Sequence, residues 1–167
     1  MKNYFFIKVS VLFLFCAMFS LAVNAQNTFN KGDKVVQAGI GLGSTFYRSM
    51  IPLSAAFEIG IKDNLFDDKS SLGVGGSFGF ASKWGWTVLI PVVRGAVHYQ
   101  FVDNLDTYAG LGIGLCMWSG TGWYGSSTEL IVPFYVGARY YFQSNLAAFG
   151  ELGHGIAYLT VGLSLKF

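Results

Sequence analysis

Six ionisable residues share a setting that could carry chemistry: Glu58, Lys62, Arg94, His98, Arg139 and Glu151. Each sits in a stretch where apolar residues occupy every second position, and each falls on the other set of positions. In a β-strand that alternation puts all six on one face. Two arginines opposed to two glutamates would form an ion-pair network, or would line a polar conduit. Lys166 falls on the same parity. A second grouping has the residue types of acyl transfer: Ser126 and Ser127 as nucleophiles, His154 as base and Glu129 as its orienting carboxylate. Metal chemistry is poorly supplied, because two histidines on opposite sides of the fold and one cysteine beyond the leader make no site. The runs "GIGLG" (39–43) and "GLGIG" (110–114) lie within strand patterns with no helix following, so they cradle no phosphate. No cofactor is expected.

The elements that must position these residues begin after a leader. Lys2 and Lys8 precede an apolar run from Val9 to about Leu21, and Val23-Asn24-Ala25 supplies the small residues a signal peptidase reads. Residues 1–25 therefore read as a cleaved signal peptide, cut near Ala25-Gln26. Residues 26–34 then form a short arm, and 35–167 form one domain. Nine of the eleven Lys and Arg residues lie past the cut, against nine Asp and Glu, so the mature chain is neutral. It has no basic stripe and no nucleic acid is expected as partner. Cys116 is its single cysteine, which rules out an internal disulfide.

Composition then restricts the fold. Mean hydropathy is +0.47 and 53% of residues are hydrophobic, as in membrane proteins. Past the leader no apolar stretch reaches the length a membrane-spanning helix needs, about 18 residues. Backbone polar groups in hydrocarbon have to be paired within the protein, which leaves a closed barrel. The alternation supplies the strands, in eight segments. Val36, Ala38, Ile40 and Leu42 alternate with Gln37 and glycines, and Leu53 to Ile61 with Ser54, Glu58 and Lys62. Leu72 to Phe80 alternate with Gly73, Gly75, Ser77 and Gly79, and Val93 to Phe101 with Arg94, His98 and Gln100. The fifth segment starts at about Thr107, the sixth spans about Glu129–Phe142, the seventh Leu146–Gly155, and the last ends the chain. The fold class is all-β: an eight-stranded antiparallel up-and-down transmembrane β-barrel. A weak repeat supports hairpins, since Tyr99, Phe101, Asn104 and Leu105 recur as Tyr140, Phe142, Asn145 and Leu146. "KDNL", "VDNL" and "QSNL" read as one class of turn on one side. The connections opposite carry Phe46, Tyr47, Arg48, Trp84, Trp86, Trp118, Trp123 and Tyr124, which read as an aromatic girdle.

The closing stretch "TVGLSLKF" resembles the C-terminal recognition signal of outer-membrane barrels, with Thr160, Gly162, Leu165 and a terminal Phe167. Together with the leader and the eight alternating segments, it makes the chain similar to small outer-membrane β-barrels of the OmpX/OmpA/OmpW-like, porin-like superfamily of Gram-negative bacteria. The resemblance implies outer-membrane localisation, contact with outer-membrane lipid and lipopolysaccharide, and insertion by machinery that reads Phe167. A monomer is expected. Outer connections shorter than in OmpX-like relatives imply no extended adhesive edge. The leading functional reading is a barrel whose lumen is plugged by side chains, with a structural or surface-interaction role. One alternative is a lipid-A-modifying acyl hydrolase at the outer rim, although the close His-x-Ser pairing of such enzymes is missing after both His98 and His154. A second alternative is a narrow channel for small solutes.

Overall fold

The computed structural model describes residues 28–43, 50–120 and 125–167. The signal peptide with its cut site, and Phe46, Tyr47, Arg48, Trp123 and Tyr124 of the outer girdle, lie outside the described residues. Nine strand segments follow in order: β1 (Lys34–Leu42), β2 (Leu53–Asp63), β3 (Ser70–Lys83), β4 (Trp86–Val102), β5 (Leu105–Gly120), β6 (Ser127–Ile131), β7 (Phe134–Tyr141), β8 (Leu146–His154) and β9 (Leu159–Lys166). Each pairs antiparallel with its neighbours, and β1 pairs with β9 from Val35↔Lys166 to Leu42↔Leu159, which closes the ring.

The ring has eight members, because β6 and β7 lie end to end on β5. Gly114↔Ile131 and Leu111↔Phe134 belong to one uninterrupted register. Pro133, which has no N–H to give the ladder, makes the break. Its carbonyl still accepts from the Gly112 N–H at 2.9 Å. Pro91 acts similarly on one side of β4: the β5 pairing passes from Leu89↔Met117 to Val92↔Gly114, while the β3 pairing runs through Phe78↔Pro91.

Side chains alternate as the composition requires. Ile40, Leu53, Val93, Leu111, Leu130, Val136, Leu152 and Leu163 are exposed on the outer wall, whereas Val35, Gln37, Glu58, Arg94, His98, Tyr108 and Arg139 are buried within. A closed barrel with an apolar exterior is built for hydrocarbon as solvent. Phe101, Tyr140 and Phe167 project outward at the end that carries both termini of the barrel, where an inner aromatic belt belongs. The outer belt differs from expectation. Trp118 packs against the buried cluster of Ala81, Val88, Ile90, Val92, Cys116 and Ile131. Trp86 lies against Gly120 on the same inner face. Of these three, Trp84 alone projects from a hairpin tip, 80% exposed, with Lys83 Nζ 4.0 Å over its ring, Gly85 beside it, and Trp84 and Gly85 both at positive φ (53° and 79°). That pair makes a two-residue turn of the primed kind that suits strand twist.

The turns at the other end are not one class. Asn64 and Asn104 adopt positive φ (53° and 63°), but Asn145 does not. Only Val102–Leu105 is a two-residue hairpin, whereas the β2–β3 connection runs from Asn64 to Lys69 and is held by the Ser70 hydroxyl. At the outer end the described strands are unequal in height. The upper ends of β3, β4, β5 and β6 continue to Lys83↔Trp86, Trp86↔Gly120 and Trp118↔Ser127, past the point where β2 starts at Leu53 and β8 stops at His154. Among the described residues β3 to β6 therefore extend the sheet farther at this end than β2 and β8 do, and β6 has no ladder partner on its second side.

The β1–β9 seam depends on two small residues. Gly39 faces Gly162 across it, and the Phe149 ring from β8 covers both. A Cβ on Gly162 would lie 2.0 Å from the Ala38 carbonyl oxygen and 2.8 Å from Phe149 Cε1. Gly162→Val should therefore prevent closure, while Gly150→Val, where an added Cβ meets nothing within 4 Å, should fold normally. The heat-dependent shift on a detergent gel reads the difference; a normal shift for Gly162→Val would refute the seam argument.

Candidate functional site

Five strands bring charged groups to the middle of the barrel. Arg139 on β7 is wholly buried, and its Nη1 donates to Asp106 Oδ2 on β5 at 3.0 Å. Its Nη2 donates to Glu58 Oε2 on β2 and to Gln37 Oε1 on β1, the latter at 3.3 Å. His98 on β4 bridges the same two carboxylates, with Nδ1 2.9 Å from Asp106 Oδ1 and Nε2 3.2 Å from Glu58 Oε1. Ionised carboxylates only accept, so these contacts are satisfied together when both ring nitrogens carry a proton.

A relay crosses to a second ion pair. Gln37 Nε2 donates to the Tyr108 hydroxyl at 3.3 Å, which donates to Glu151 Oε2 at 3.2 Å. Arg94 reaches both Glu151 oxygens from the opposite wall, at 3.3 and 2.8 Å, in the fork geometry that suits a carboxylate. Arg94 also lies over the Tyr135 ring at 3.7 Å, and Arg139 over Tyr108 at 4.4 Å. With an imidazolium at His98, the arginines and histidine match the charges of Glu58, Asp106 and Glu151.

The inner mouth is closed by the arm that precedes β1. Phe29 is 4% exposed and stacks on the His98 ring with centroids 4.1 Å apart. The Thr28 N–H donates to Gln100 Oε1 at 2.9 Å, and the Ser71 hydroxyl donates to the Phe29 carbonyl at 2.9 Å. Gly60 exchanges backbone bonds with Gly32 and Asp33, and a Cβ there would strike the Asn30 carbonyl. Lys166 Nζ donates to the Thr28 carbonyl at 3.1 Å and lies 3.5 Å from Asp33. Above the charges the lumen turns apolar, filled by the cluster of Val88, Ile90, Val92, Cys116 and Ile131 and capped by Met50, Trp118 and Ile156. Between the layers lies a cavity of about 40 Å³ next to Ser77, Arg94, Glu151 and Thr160, room for a few waters at most.

Five of the six sequence-predicted lumen residues, Glu58, Arg94, His98, Arg139 and Glu151, meet in this network. Lys62 does not. The β2–β3 register shifts between Gly60 and Lys62, so Ile61 is an extra residue and Lys62 pairs with outward-facing Leu72. Lys62 is exposed. Asp106 and Phe29 were not foreseen. Asp106 lies two residues before inward Tyr108, a parity signal that a strand start at Thr107 cuts off; Phe29 precedes any alternation. Of the terminal set, Thr160 is buried in the lumen, Gly162 lies in the seam, and Leu165 faces out. Phe167 exchanges backbone bonds with Lys34 at 2.9 and 3.3 Å.

The residues considered for acyl transfer do not assemble. His154 pairs with outward Phe134 and stacks on its ring, whereas Glu129 pairs with inward Cys116 and Ser127 with Trp118. From the level of Phe134, opposite Leu111, to that of Ser127 is seven β5 residues, about 23 Å along the strand.

Solved structures with this architecture are known. The N-terminal β-barrel domain of Pseudomonas aeruginosa OprF aligns with a TM-score of 0.56 at 15% identity, covering 82% of this chain and 98% of that one. Ail, the attachment invasion locus protein of Yersinia pestis, aligns at 0.53 and 12% in its complex with the heparin analogue sucrose octasulfate, covering 82% and 99%. In a phospholipid bilayer nanodisc Ail aligns at 0.52 and 10%, covering 82% and 100%. No protein-family model matches the sequence, and no curated protein does. The chain thus has the fold of the small outer-membrane β-barrels.

The Arg94–Glu151 pair separates the value of a charge from the cost of stranding its partner. Arg94→Met should cost about 1–3 kcal/mol, because the half-buried Glu151 is left without its cation and keeps only the Tyr108 hydroxyl. Adding Glu151→Leu should recover most of that loss. Urea unfolding of protein folded in micelles measures both, and a double variant as unstable as the single one would contradict the account.

Proposed function

We propose that this chain is an outer-membrane barrel that conducts no solute and acts as a rigid post, holding the overhanging sheet of β3 to β6 outside the bilayer as a surface-interaction element. The observation that carries the reading is the filled lumen: a seated arm, a cross-lumen charge network and an apolar layer lie in series along one axis. An eight-stranded barrel is just wide enough for side chains to fill. Narrow-channel transport finds no support in a cavity of about 40 Å³. The acyl-hydrolase reading is not carried forward, since its base lies on the opposite face of the wall from its carboxylate. Among the described residues β6 has no ladder partner on its second side, which supports the interaction role, because unpaired strand N–H and C=O groups accept a further strand.

Planar-bilayer recording tests the plug. The purified protein should give no stable conductance steps, and so should a variant lacking residues 26–31, because the apolar layer blocks the axis by itself. Persistent open channels in the unaltered protein would overturn the reading. Assembly by the barrel-insertion machinery, with Thr160, Gly162, Leu165 and Phe167 as its signal, belongs to the same proposal. Deleting Phe167 should lower the heat-modifiable fraction in outer membranes while export continues; an unchanged fraction counts against it.

A further inference from the structure

We propose that the arm before β1 is a strap, hinged at Gly32, that lifts from the inner mouth while the barrel stays closed, and that its seating governs the access of water and protons to His98. The inference rests on the membrane-barrel reading and adds a moving part to it. Residues Asn30 to Asp33 make the hinge turn. The Asp33 N–H donates to the Asn30 carbonyl at 3.1 Å, and the Asn30 N–H donates to the Asp33 carboxylate at 2.9 Å. Gly32, third of the four, has a φ of 91°, the sign that a type II turn demands at that place. A Cβ on Gly32 would meet nothing within 4 Å, so it is the backbone and not the packing that calls for glycine there.

The hinge divides chain committed to the wall from chain laid across the mouth. After it, Asp33 accepts from the Gly60 N–H and Lys34 exchanges bonds with Phe167. Before it, single hydrogen bonds hold the arm to four strands. The Thr28 N–H reaches Gln100 on β4, and the Lys31 N–H reaches Asp63 on β2. Ser71 on β3 donates to the Phe29 carbonyl, and Lys166 on β9 donates to that of Thr28. The adjoining β3–β4 ladder, by contrast, runs from Ser70↔Tyr99 to Lys83↔Trp86. Segments with few contacts open at lower free energy than the ladders beside them. The charge network is not built on the arm either, since His98 and Arg139 each bridge Glu58 and Asp106 within the wall. Lifting the arm takes from them the Phe29 ring, stacked on His98 at 4.1 Å and 5.7 Å from the Arg139 guanidinium.

That ring is what separates His98 from the mouth. His98 is 1% exposed. Inside the barrel it faces Glu58, Asp106 and the Tyr108 ring, with Arg139 behind the two carboxylates. On the mouth side it faces Phe29. A proton held between the imidazole and either carboxylate leaves for bulk water once Phe29 has moved aside.

Two thiols separate lifting of the arm from opening of the barrel. Thr28→Cys puts one on the arm, and Cys116, which has no exposed surface, supplies the other from the apolar layer. Mature protein folded in dodecylmaltoside micelles is treated with N-ethylmaleimide, and peptide mass spectrometry follows each site. The introduced thiol should react while Cys116 stays unmodified, at a rate well below that in urea-unfolded protein. Gly32→Val strains the seated turn and should speed this reaction about tenfold, still without modification of Cys116. Gly125→Val, also at positive φ with open space but at the outer end, should leave the rate unchanged. Phe29→Ala serves as a second loosening variant should Gly32→Val not fold. In isotope-edited NMR spectra of protein without Thr28→Cys, the His98 ring N–H signals should persist at neutral pH and be lost to solvent exchange in Gly32→Val. Reaction of both thiols together, an introduced thiol wholly inert or as reactive as in unfolded protein, no acceleration in either loosening variant, acceleration by Gly125→Val, or His98 exchange unchanged where labelling has risen would each overturn the inference. Failure of the barrel reading itself would appear separately, as wild-type protein with no heat-dependent shift on a detergent gel.

Discussion

Arg139 is the group on which the interior turns. A cation with no exposed surface is tolerable only if anions and acceptors surround it, and here they come from β1, β2 and β5, with His98 on β4 completing the set. Those strands are far apart in sequence and meet only when the ring is closed. Closing eight strands in turn leaves an interior that side chains span directly. Ring and network therefore presuppose each other: a slipped register would bring a glycine or an apolar residue to face the guanidinium, and the desolvation of an unpaired charge would count against it. Exchanged for well-packed apolar side chains, such a network often yields equal or greater stability. Its contribution here is to discriminate among registers.

The lumen divides into two environments with different requirements. On the arm side, buried polar atoms demand partners, and the Arg139–Gln37–Tyr108–Glu151–Arg94 relay supplies most of them across the lumen, although Arg94 Nε, Arg139 Nε, the Tyr141 hydroxyl and Ser164 Oγ make no hydrogen bond among the described residues. On the outer side, Val88, Ile90 and Cys116 have no exposed surface and need only close packing. Most hydrogen-bonding groups of the polar half are engaged with one another, and beyond them lies an apolar layer.

Much of this was legible in the sequence, because one physical rule governs it: in a barrel, parity assigns each residue to lipid or lumen. The Tyr99–Leu105 and Tyr140–Leu146 echo marks the hairpins β4–β5 and β7–β8 correctly. What escaped detection lies where parity breaks or has not begun. Ile61 adds one residue to β2 and turns Lys62 from lumen to surface. Trp86 and Trp118 read as rim aromatics only if β4 and β5 stop short of them; the strands include both, and the same alternation turns both inward. Asn145 shares its neighbours' sequence signature without their positive φ, so composition alone did not determine turn geometry. The arm has no alternation to read, yet Phe29 is buried.

That arm also bears on how the seam is held. It is the segment immediately before β1, and it reaches across the mouth to β3 through Ser71, to β4 through Gln100 and to β9 through Lys166. β1 and β9 are the first and last strands in sequence, so their pairing is the one that closes the ring. Any opening of their ladder would have to drag Thr28 and Phe29 away from the far wall, losing the ring stack on His98 and three hydrogen bonds at once. The glycine pair lets the two strands approach, Phe167 and Lys34 complete the ladder at its inner end, and the arm ties that end to the opposite side of the barrel. The weakest point of a closed sheet, the junction of its first and last strands, is thereby coupled to the charge network at its centre, since the residue that stacks on His98 belongs to the same short segment.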